Sequence, residues 1–120
     1  PEVFDYIQTY YDAHRSLRAL QTPVCFMGHS HVPMAFLQAR SIVHTNSEQL
    51  SLTDVDRALI NVGSVGQPRD ENPKTAYAVY DSGSQDYTLY RDTYDTEKTG
   101  EKIRRAGLPA ILGERLVYGR

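Results

Sequence analysis

His29 and His31 are the two residues of this chain whose type and spacing are best suited to chemistry. They stand one residue apart in VCFMGHSHVP, residues 24–33, where four apolar residues run into a glycine just before the pair. Neutral imidazole is the commonest side-chain ligand of transition metals. In extended backbone, residues i and i+2 share a side, so this spacing predicts two rings facing one ligand. Gly28 has no side chain and lets the backbone pass close to an ion. On residues alone, two readings stand. The pair is either two loop histidines with hydrogen-bonded rings, or half of a metal site. The glycine, the apolar run before it and Pro33 after it bring the second reading level with the first.

The elements that must hold the pair follow from periodicity. Val3, Ile7, Tyr10, His14 and Leu17 recur at steps of three and four, which predicts an amphipathic helix over residues 2–20. Pro23 ends it. Val24 to Met27 reads as a short buried strand, and a helix leading into such a strand is half of an α/β repeat. Strands are expected at Met34–Ala39 and Ser41–His44, and a polar surface loop at Asn46–Asp56. Ala58–Val62 is a further apolar run, and it leads into the constrained stretch Asn61-Val-Gly-Ser-Val-Gly-Gln-Pro-Arg-Asp70. Thr75–Asp81 and Asp86–Arg91 alternate around Ser82-Gly83-Ser84, the pattern of a hairpin. A helix over Asp95–Ala106 is closed by Gly107 and Pro109, and residues 110–120 are expected to add a helical turn.

Composition narrows the classes. At 120 residues the chain is sized for one domain. A formal net charge of −2 gives no basic field for nucleic acid. Apolar runs are too short to span a membrane, and no signal-peptide pattern is present. The single cysteine, Cys25, cannot form an internal disulfide; it is expected to be a small buried side chain in a reducing, cytoplasmic setting.

GHSHVP, followed roughly thirty residues later by NVGSVGQPRDENPKTAYAVYD, resembles the calcineurin-like metallophosphoesterases, in particular their small bacterial phosphodiesterase branch. That family closes its metal-site motifs with Gly-His-x-His and then carries an Asn-Pro-Gly-Ser-x-Gly-x-Pro-Arg loop. The tail EKIRRAGLPAILGERL resembles its C-terminal helix and following turn. The departure is Val62, where the family has proline, and a looser loop is expected there.

The resemblance implies an α/β fold: the C-terminal half of an α/β/β/α sandwich, residues 1–120, with the N-terminal half absent. It implies a phosphoesterase acting on phosphodiesters or phosphomonoesters through a hydroxide bridging two divalent ions, manganese, iron, zinc or nickel. His29 resembles a ligand of the second ion and His31 of the first. Asn61, Gly63, Ser64 and Arg69 resemble the loop beside the substrate phosphate. Physically, amides of a glycine-rich turn can face an anion, and Arg69 can add a charge-assisted bond. The alternatives are a structural turn and a solvated arginine.

No residue of the chain is assigned as a catalytic acid or base. The family's Gly-Asp and Gly-Asn-His motifs are missing. Asp12-Ala13-His14 imitates its Asp-x-His, but on a helix positions i and i+2 lie roughly 200° apart and cannot grip one ion. His14 is expected to pack on the helix's apolar stripe, and His44 to be an ordinary surface histidine. The expectation is therefore a fragment inactive alone, partnered by the missing half of its domain, with an exposed sheet face able to mediate homo-oligomers. Two other readings are a non-catalytic scaffold of the same fold that binds proteins, and a histidine-pair metal binder unrelated to phosphate.

Overall fold

A computed structural model describes residues 6–120. Helix α1 spans Tyr10–Ala19, shorter than the periodicity suggests. Its start is set by Thr9, whose hydroxyl accepts from the Asp12 N–H while the Asp12 carboxylate accepts from the Thr9 N–H. This reciprocal box satisfies donors that the first helical turn leaves open. Val3, expected on the stripe, lies outside the described residues. The stripe itself is rotated from the expectation: Ala13, Ser16 and Leu17 are buried, whereas Tyr10 and His14 face solvent. Two small residues on the buried face let the helix approach the sheet closely, which outweighs the larger but amphipathic side chains.

Strands β1 (Val24–Met27), β2 (Met34–Gln38), β3 (Ile42–Thr45) and β5 (Arg57–Asn61) form one sheet in the order β1-β5-β2-β3. The β1–β5 pair is parallel and the others antiparallel. Strands β4 (Gln49–Ser51), β7 (Asp86–Asp92) and β6 (Thr75–Asp81) form a second, antiparallel sheet. The segment expected to be wholly loop thus contains β4, a three-residue edge strand too short to show a period in sequence.

The alternation along each strand assigns its two faces. Ala35, Ala58 and Ile60 face the second sheet and pack with Ala76, Tyr87 and Leu89. Phe36 and Leu59 face the other way and pack with Ile7, Ala13 and Leu17. β5 is therefore buried on both faces. Arg57 ties this arrangement at its far end by donating to the Leu17 carbonyl of α1 at 2.6 Å. Helix α2 (Thr96–Arg105) is capped by Asp95, followed by α3 (Ile111–Glu114) and a 3-10 turn over Arg115–Tyr118. This C-terminal cluster docks on the loop before β6, where the Glu71 N–H donates to the Gly119 carbonyl. A side chain at Gly119 would stand 2.6 Å from the Asn72 backbone, so that approach requires glycine.

The register puts Met27, Asn61 and Met34 side by side. The ends of β1 and β5 and the start of β2 therefore meet at one end of the sandwich. The histidine turn crosses there, and the loop after Asn61 leaves from the same place, beyond the carboxyl ends of the parallel strands.

Candidate functional site

The turn between β1 and β2 is not extended, as the i, i+2 argument assumed. His29 has φ +74° and His31 φ +61°, so both lie in the left-handed region. Placement of their rings thus comes from two left-handed turns around Ser30 and not from strand alternation. Non-glycine residues disfavour this region by roughly 1–2 kcal/mol each, so surrounding contacts must hold both. The Ser30 between them is buried, while His29 is exposed and His31 half-buried.

Asn61 bonds the residues on either side of His29. It is 1% exposed at the end of β5. Its Nδ2 donates to the Gly28 carbonyl at 2.7 Å and to Ser30 Oγ at 2.8 Å. Its Oδ1 accepts from the Gly63 N–H at 2.9 Å. Ser30 Oγ in turn accepts from the Val32 N–H. Each such bond contributes about 1 kcal/mol net, and breaking one inside the protein costs more, because a buried polar atom is left unpaired.

His31 is held by the loop after β5. Its Nδ1 lies 2.8 Å from the Gln67 carbonyl. A carbonyl only accepts, so Nδ1 carries the proton, and in the neutral ring Nε2 keeps its lone pair for a ligand. The Arg69 N–H donates to the His31 carbonyl, which closes the clasp. His29 stacks on Tyr6, with ring centroids 4.1 Å apart.

The other predicted loop residues fall around this clasp. Gly63 has φ +82°, and a side chain there would stand 2.7 Å from Pro33, so it packs the two loops together. Ser64 Oγ accepts from the Gln67 N–H at 3.0 Å. Arg69 donates to the Gln67 side chain, and its Nε is buried without a hydrogen-bond partner. Asp70 pairs with Arg91 of β7 and anchors the loop to the second sheet. Asn61, assigned from sequence to a substrate phosphate, is here enclosed and bonded to its own chain. Val62 stands where the resemblance has proline. Its N–H donates to the Met27 carbonyl at 3.3 Å, a bond that proline could not make.

Beside the turn lies a cleft of about 390 Å³ flanked by Val32, Pro33, His44, Glu48, Asp70 and Arg91. Sequence reasoning passed over it because its walls come from four separate stretches. His44 is exposed, as expected, and packs on Phe36 at 5.0 Å between ring centroids. Asp12 of the imitation motif is bonded to Thr9, whose hydroxyl and then backbone hold its carboxyl below the ordinary range. Cys25 is half-buried, not enclosed as expected, because β1 is the sheet's edge among the described residues.

A structural metal site takes about four donors, and a catalytic one at least three from protein. Among the described residues, no three His, Cys, Asp or Glu stand close enough to share an ion. The histidine pair alone therefore does not fit a complete metal site.

No family model matches the chain. A protein of Methanocaldococcus jannaschii described as uncharacterised is 39% identical over 95 residues, which are 79% of this chain and 39% of that protein. The crystal structure of a metallophosphoesterase from Sphaerobacter thermophilus superposes with a TM-score of 0.87 at 36% identity, over 97% of this chain and 51% of that one. The chain thus spans about half the length of that structure, and less of the first relative. Its mixed α/β architecture is of the metallophosphoesterase type. Among the described residues, no helix is long and apolar enough to cross a membrane.

Proposed function

We propose that this chain supplies the histidine-bearing part of a two-metal phosphoesterase centre, in a calcineurin-like metallophosphoesterase that hydrolyses phosphodiesters or phosphomonoesters. One observation supports the reading: His31 Nδ1 is bonded to the Gln67 carbonyl, which leaves the Nε2 lone pair for a ligand, two residues from His29 at the carboxyl end of a parallel strand pair. The likeness to the Sphaerobacter thermophilus metallophosphoesterase supports the class. The ions are first-row divalent metals such as manganese, iron, zinc or nickel. The pair needs further ligands from outside these residues, and both relatives extend beyond the aligned part. Arg69, the one cation of the Asn61–Asp70 loop, is the residue we assign to meet an anion, through a guanidinium that here donates to the Gln67 side chain.

The polypeptide alone is expected to hold metal weakly and not to turn over bis-p-nitrophenyl phosphate. A chain extended to the relatives' length is expected to carry two metal equivalents and to lose them in His29→Ala and His31→Ala. Metal analysis with a turnover assay checks both. Robust metal-dependent turnover by the 120-residue chain, or full metal content in the histidine variants, would overturn the proposal.

A further inference from the structure

We infer that Asn61 is a positioning residue, whose side-chain amide holds His29 and His31 in their left-handed conformations. The inference rests on the reading above only in taking the two histidines as the working pair. Three observations meet at one atom group. Asn61 Nδ2 bonds both the residue before the pair, through the Gly28 carbonyl, and the residue between them, through Ser30 Oγ. Its Oδ1 fixes the Gly63 N–H, the first turn of the loop that clasps His31 through Gln67 and Arg69. Both histidines carry positive φ, and neither has a glycine's freedom to adopt it.

Aspartate and asparagine are similar in shape, but the ionised carboxylate has no proton to donate. Asn61→Asp keeps the acceptor for Gly63 and places an oxygen against the Gly28 carbonyl. Asn61 is thereby separated from a residue that merely fills space. Ser30→Ala is the milder partner variant: it removes one acceptor and leaves the bond to Gly28.

The test is solution NMR of the metal-free chain. In the wild type, His29 and His31 are expected to show the strong intraresidue amide–Hα contact of a positive φ, and His31 the ¹⁵N pattern of an Nδ1-protonated ring. Asn61→Asp is expected to lose both signatures, and Ser30→Ala to weaken the contact at both histidines. Leu52→Ala, a buried variant beside the β6–β7 hairpin at the far end of the sheets, is expected to lower stability and leave them in place. If folded Ser30→Ala and Asn61→Asp keep the left-handed contacts and the His31 tautomer, the inference is overturned. Should Asn61→Asp not fold, an unchanged Ser30→Ala spectrum overturns it by itself. These readouts contain no metal or phosphate ester, so they stand or fall separately from the proposed activity.

Discussion

β1 and β5 are adjacent, parallel, four- and five-residue apolar strands, yet the structure treats them differently. β5 sits between β1 and β2, is covered by α1 on one face and by the second sheet on the other, and ends in the buried Asn61. β1 has one neighbour among the described residues, and its Phe26 is 46% exposed while touching Tyr80 and Tyr87 with part of its ring. Apolar parallel strands are typically covered on both faces. The contrast teaches that the chain completes its own core at β5 and supports the histidine turn from that side. On the β1 side it leaves backbone and aromatic surface of the kind that pairs with another strand. We propose that this edge takes up a second copy of the chain.

The contrast can be broken most directly at Leu59. It is fully buried under α1, and Leu59→Ala is expected to destabilise by about 3 kcal/mol in urea unfolding, within the range for enclosed leucines. Phe26→Ala is expected to be milder, about 1 kcal/mol for its aromatic contacts. It should also reduce self-association in sedimentation velocity; an equal or larger stability loss would show that β1 is as enclosed as β5. Val62→Pro removes the N–H that links β5's continuation to Met27, with an expected loss below about 1 kcal/mol. A larger loss, read by the same urea titration, would mean that this bond holds the histidine turn as well.

The smallest effect concerns acid. Hydrogen bonds from the Thr9 hydroxyl, then its backbone N–H, lower the Asp12 carboxyl from 3.8, so the folded state favours the charged form. That contribution is present above the unfolded pKa and is lost as pH falls through the lowered folded one. Asp12→Asn should therefore weaken α1 at neutral pH and lessen the loss of helical circular dichroism below about pH 4.

Much of this is legible in the sequence. β1 reads directly from its apolar run, β6 and β7 from alternation, and α2 from Asp95 and Gly107. The buried face of α1 was misread, because Tyr10 and His14 are apolar in outline but amphipathic, while the true contact uses the small Ala13 and Ser16. β4 left no signal, since three residues cannot establish a period. The histidine pair was visible, but its geometry was not. Positive φ at a non-glycine residue is imposed by its neighbours, here by Asn61, which is 30 and more residues away in sequence.

The sequence by itself determined which side chains are available: two imidazoles after a glycine, a constrained Asn-to-Arg loop, and no carboxylate motif beside them. Residue types and short-range spacing are local properties, and chemistry of that kind is written one residue at a time. Only the tertiary structure decided that Asn61 reaches back to Gly28 and Ser30, that the Gln67 carbonyl chooses the His31 tautomer, and that β1 stands at an edge among the described residues. Those outcomes depend on strand order and register, which bring distant backbone groups within hydrogen-bond range and have no counterpart in the spacing of neighbouring residues.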